Sequence, residues 1–171
     1  ELDGVVVASP HTLHHEHAKA ALERGLPVMC EKPMTTTAAH ARELVDLAES
    51  AGVPLLVPYG WHYKPFVQRA KELMAAGAVG RIEYVLCHMA SPIRGLLTGE
   101  DLDLDDVSGG SDAGLFGPDP DTWADPDRSG GGYGHAQISH SAGMLFWLTG
   151  LRAEHVFSVM SAPGARVDLY D

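Results

Sequence analysis

Short apolar runs alternate with amphipathic stretches over the first sixty residues. Val5-Val6-Val7-Ala8 is continuous and apolar, and predicts a strand buried on both faces. Ser9-Pro10 breaks it. Ala18, Ala21 and Leu22 then share one side of a predicted helix, with Thr12 as its cap and Gly25 as its stop. Val28-Met29-Cys30 predicts a second strand. Leu44, Leu47, Ala48 and Ala51 recur at helical spacing after a Thr36 or Thr37 cap, and Gly52 and Pro54 end that helix. Leu55-Leu56-Val57 predicts a third strand. This order is that of an α/β unit with parallel strands and right-handed crossovers.

The pattern changes near Gly60. Pro65 opens a predicted helix that runs to Ala76 and stops at Gly77. Ile82 to Met89 reads as a long strand, and His155 to Met160 as another. Between them a helix carries Met144, Leu145 and Leu148 and ends at Gly150, and Val167 begins a further strand. Residues 91–129 are rich in Gly, Asp and Pro and read as an irregular, acidic insertion, a length of loop usually associated with function or disorder. No G-x-G-x-x-G occurs in the chain. Either no dinucleotide is bound, or the Gly-rich turn that would cradle its pyrophosphate lies upstream of Glu1.

Composition narrows the class. With 171 residues, 45% hydrophobic and 20% charged, the chain is an ordinary globular one of a single domain or slightly more. A formal net charge of −11 argues against a nucleic-acid partner. No apolar run approaches the ~18 residues of a membrane span. Cys30 and Cys87 make neither a disulfide framework nor a zinc set, so a cytoplasmic setting is expected.

The candidate chemistry centres on Glu31-Lys32-Pro33. A carboxylate and an amine emerge together where an apolar strand ends, and ligands of open α/β sheets bind outside the carboxyl ends of strands. Rival constellations are weaker. His11, His14, His15 and His17 crowd one helix start without the spacing of a zinc protease, and Asp101-Leu-Asp103-Leu-Asp105 lacks the glycine and the glutamate of a calcium loop. No metal is expected.

Ser9-Pro10, His14, Ala18, Ala21-Leu22, Gly25 and Glu31-Lys32-Pro33 together resemble the nucleotide-binding domain of the Gfo/Idh/MocA (glucose–fructose oxidoreductase/inositol dehydrogenase) family. Gly130-Gly131-Gly132 followed by His140 is similar to that family's second-domain motif. The resemblance implies that residues 1–60 are the second half of a Rossmann domain. Residues 61–171 would then begin an α+β substrate and oligomerisation domain with a mostly antiparallel sheet. It implies an NAD- or NADP-dependent dehydrogenase of a sugar, inositol or related polyol, homo-oligomeric when complete; a piece of this length is not expected to hold a dinucleotide by itself.

Lys32 and His140 are the implied catalytic pair. The amine would polarise or deprotonate the reacting hydroxyl and the imidazole would carry the proton. Ser9, Pro10, His14, Glu31, Lys32 and Pro33 would shape the cofactor crevice. Trp61, His62, Lys64, Gln137 and His140 would line the substrate side. One position departs from the family: the aspartate commonly found four residues before the histidine is Ala136 here. Lys32 with His140 suffices, or His135 substitutes, or the chemistry differs. Two other functions stay open, an NAD-dependent redox-assisted glycosidase and a non-catalytic dinucleotide- or sugar-binding regulator.

Overall fold

The computed structural model describes residues 2–101 and 118–169. Strands β1 (Val5–Val7), β2 (Val28–Cys30) and β3 (Leu55–Leu56) form a parallel sheet in the order β1-β2-β3. Val5 pairs with Val28 and Val7 with Cys30, while Val28 and Met29 pair with Leu55 and Leu56. The crossovers are helices α1 (His14–Leu22) and α2 (Ala38–Ala51), which pack on each other. Ala18, Ala21, Leu22, Leu44 and Ala48 from the helices meet Val7, Val28 and Cys30 in one core.

Local chemistry sets most of these boundaries. The Thr37 hydroxyl accepts from the His40 amide at 3.2 Å and opens α2. Gly52, at φ 66°, closes it in the left-handed region that glycine enters without steric cost. The expected Thr12 cap does not form. A 3-10 turn at His11–Leu13 precedes α1, and the Thr12 hydroxyl donates to the Arg128 carbonyl at 2.9 Å. The tertiary partner outcompetes the local one.

The expectation of a strand buried on both faces is also corrected. Val6 is 64% exposed because α1 and α2 cover a single face of the sheet.

Helix α3 (Pro65–Ala75) packs against a long helix that follows three short ones among the described residues. The short ones are α4 (Arg94–Thr98), α5 (Pro120–Trp123) and α6 (Pro126–Ser129); the long one is α7 (Tyr133–Thr149). The stretch 91–129, expected to be irregular, therefore carries three helical turns among its described residues. Two of them begin with Asp-Pro-Asp, where Asp119 and Asp125 cap the turn and proline takes its first position. The calcium-loop reading falls on Asp103 and Asp105, which lie outside the described residues.

The strands expected at 82–89 and 155–160 do not form, and among the described residues the three parallel strands are the sheet. A strand is stabilised by a paired neighbour and a covered face. Here Leu86 and Phe157 stand exposed, and the Met89 carbonyl accepts from the Tyr133 hydroxyl at 3.1 Å rather than from a strand neighbour. A second, smaller core gathers Ile93, Leu97, Tyr133, Val167 and Leu169, with Trp123 against it.

Candidate active site

The carboxyl ends of β1 and β2 deliver two turns side by side. The Glu31 amide donates to the Val7 carbonyl at 2.9 Å, which carries the sheet pairing one residue past β2. Beyond it run Lys32 and Pro33, joined by a cis peptide bond. From β1 the chain passes Ser9 and Pro10 into the 3-10 turn. Ser9, Pro10, His11, His14, Glu31 and Lys32 line one wall of a crevice of about 380 Å³, and Trp123, Thr122 and Asp119 line the other.

Helix α7 lies next to Lys32 rather than in the lining of the crevice, and its start is fixed from a distance. The two carboxylate oxygens of Asp168 accept from the amides of Gly132 (2.7 Å) and Gly134 (2.6 Å), while the Asp168 carbonyl accepts from Tyr133 at 2.8 Å. A carboxylate there also complements the helix dipole. The glycines permit the approach: a Cβ on Gly132 would stand 1.9 Å from the Asp168 oxygen, and Gly130 sits at φ 79° against Thr36. The Gly130–Gly132 run is thus the seat of α7.

So placed, α7 meets Lys32. The ammonium donates to the Ala136 carbonyl at 3.4 Å, one helical turn before His140. Burial lowers the pKa of Lys32, with the Glu31 carboxylate pulling the other way. Burial also lowers His140, with the Lys32 charge adding to the effect. His135 is lowered chiefly by burial, against the raising influence of Asp168. His11 falls to about 4, again chiefly by burial, partly opposed by its bond to the Ser129 carbonyl at 2.9 Å. Its ring centroid lies 5.5 Å from that of His135 and 5.4 Å from that of Trp123. Three neutral imidazoles therefore gather around one desolvated ammonium. His135 Nε2 and His140 Nδ1 are buried without a hydrogen-bond partner, which is costly unless a ligand supplies one.

The structure brings Ser9, Pro10, His14, Glu31 and Lys32 to one crevice and sets His140 beside Lys32. Pro33 is buried behind it, and its carbonyl faces His14 Nδ1 at 2.9 Å. The Ser9 hydroxyl is engaged by His17 at 2.9 Å. Other expected residues are elsewhere. His62 is stacked between Tyr59 and Trp147, two turns beyond His140, and Trp61 turns its partly exposed ring edge-on to Phe66. Lys64 is exposed at the start of α3. Gln137 opens onto a different cavity, about 540 Å³, with Tyr133, Ser141 and Arg94. His11, Trp123 and Asp168 were absent from the expected set. The nearest sequence signal for His11 was its place beside Ser9-Pro10, and Asp168 had none. Among the described residues no three His, Cys, Asp or Glu side chains could hold a metal ion.

Residues 1–59 match the model of an oxidoreductase family with an NAD-binding Rossmann fold, Gfo/Idh/MocA. A D-xylose 1-dehydrogenase [NADP(+)] of Haloarcula marismortui is 31% identical over 130 residues, 75% of this chain and 31% of that protein. A D-xylose 1-dehydrogenase (NADP(+)) of Haloferax volcanii is 41% identical over 80 residues, 46% of this chain and 25% of that protein. The crystal structure of an aldose-aldose oxidoreductase from Caulobacter crescentus superposes with a TM-score of 0.62 at 24% identity, over 87% of this chain and 38% of that one, a likeness of fold. The chain spans roughly a third or less of the curated relatives it matches. Residues 1–59 are thus identified as the NAD-binding Rossmann fold of the Gfo/Idh/MocA oxidoreductase family.

Proposed function

We propose that this chain forms the reacting half of an NAD(P)-dependent dehydrogenase that oxidises a secondary hydroxyl of a sugar, inositol or related polyol. The division at residue 60 into a cofactor part and the beginning of a substrate part belongs to the same reading. The observation that carries it is the Lys32 ammonium, desolvated at the strand edge and turned toward α7 beside His140.

The residues present fit such a cofactor. The crevice lies outside the carboxyl ends of parallel strands, and Ser9, Pro10, Glu31 and Lys32 would hold the nicotinamide end. When bound, the dinucleotide supplies the hydride acceptor. The chain's own groups manage the proton and the pose. Lys32 donates to the reacting oxygen, and its lowered pKa eases the exchange of a proton there. His140, neutral and with Nδ1 unpaired, accepts the hydroxyl proton. His135 offers a second buried acceptor where the usual aspartate is Ala136.

The test is reduction of NAD+ or NADP+ by a panel of pentoses, hexoses and inositols, measured on this chain within its complete reading frame. Turnover that Lys32→Met abolishes supports the reading. Dinucleotide binding with no turnover on any member would favour the regulatory alternative, and glycoside cleavage without net reduction would favour the glycosidase.

A further inference from the structure

Both ring nitrogens of His14 face backbone carbonyls. Nδ1 stands 2.9 Å from the Pro33 oxygen and Nε2 2.8 Å from the Ser9 oxygen. A carbonyl oxygen only accepts. A neutral imidazole carries one N–H and one lone pair, so it satisfies one of these oxygens and turns a lone pair on the other. The imidazolium donates to both. The residue is 1% exposed, so bulk water is no alternative partner. Protonation is thus read from the surrounding network.

Ser9 and Pro33 belong to the two turns that leave β1 and β2 and build the crevice. We propose that His14 is a positioning residue that ties these turns together as an imidazolium and so sets the width of the crevice between Ser9 and Lys32. Its effect on dehydrogenase activity rests on the function proposed above; the tether itself does not.

The groups around it are consistent with a charge at this place. Glu31 brings a carboxylate to the same crevice. His11, with its ring centroid 5.6 Å away, and His135 on α7 are both held neutral by burial. Lys32, also facing the crevice, is the opposing cation. On α1 itself, His17 is turned to the Ser9 hydroxyl and His15 to Glu43.

The decisive measurement is the protonation of the ring nitrogens in uniformly 15N-labelled protein at neutral pH, by long-range proton–nitrogen correlation. His14 should show two protonated nitrogens while His11 and His135 show one each; one bare nitrogen on His14 overturns the proposal. A variant series tests the tether separately. His14→Asn keeps a donor near Nδ1, His14→Gln keeps one near Nε2, and His14→Phe keeps neither. The Glu31 amide, bonded to Val7 across the two strands, should exchange about tenfold faster in His14→Phe and by intermediate factors in the other two. Unchanged exchange in all three overturns the tether. If a variant fails to fold, the nitrogen spectrum of the unaltered chain still decides. Neither measurement needs a cofactor, so an inactive protein would count against the dehydrogenase reading alone.

Discussion

The Lys32 ammonium lies 3.4 Å from the carbonyl oxygen of Ala136, a residue with no exposed surface. The amine is thereby aimed at the helix turn that leads to His140. Its burial disfavours the charged form, so the side chain contributes reactivity at a cost in stability. Lys32→Met should lower kcat on the order of 10²–10⁴-fold, the usual worth of a positioned acid–base group. Its melting temperature should be unchanged or higher. Lys32→Arg should also be inactive, because guanidinium does not release its proton near neutrality. Steady-state kinetics beside thermal melts check both.

The pH dependence of stability follows from His11. The unfolded chain takes up this proton near pH 6.5 and the folded one near 4. Between those values the unfolded state binds more protons, so stability falls as the pH is lowered through the window and levels off below it. The contribution is at most about 3 kcal/mol. His11→Asn keeps a donor for the Ser129 carbonyl and cannot titrate, so its stability should fall less steeply. His135 and His140, lowered in the same direction, leave part of the slope in place. Denaturant midpoints measured across pH 4–7 give the answer.

Removing the remote cap should loosen α7 at its base. Asp168→Ala leaves the Gly132 and Gly134 amides without their charged acceptor and should cost about 2–3 kcal/mol. Gly132→Ala should cost about as much, because the new methyl would collide with the Asp168 backbone. Chemical denaturation reads both losses.

Two apolar substitutions should behave oppositely. Leu44→Ala empties the core between α1, α2 and the sheet and should cost about 2–5 kcal/mol. Phe157→Ser changes a side chain that is 90% exposed and should stay within ~0.5 kcal/mol. A large loss for Phe157→Ser would mean that residues 155–160 pack against something.

The parallel order of β1, β2 and β3 was legible because each apolar run is bracketed by its own punctuation, such as Ser9-Pro10, Gly25 and Gly52. The expected strands at 82–89 and 155–160 had equally apolar runs and failed, because a strand also needs a neighbour to pair with. Lys32 was legible from its place at a strand end. Gln137 and His62 were assigned to its neighbourhood from proximity in sequence to His140 and to β3. On α7 Gln137 instead faces a separate cavity, and His62 is held between Tyr59 and Trp147.

Short-range physics is written along the chain: the periodicity of Ala18, Ala21 and Leu22, the left-handed turns at Gly25 and Gly52, and the halt of an apolar strand at Glu31-Lys32. These determined the crossover unit and the edge at which its chemistry sits. Tertiary packing decided which imidazoles surround the amine, because His11 and His135 come from segments more than a hundred residues apart. It also decided that Asp168 caps α7 and that His14 serves two carbonyls. Such meetings depend on how separate elements dock, which local spacing does not encode.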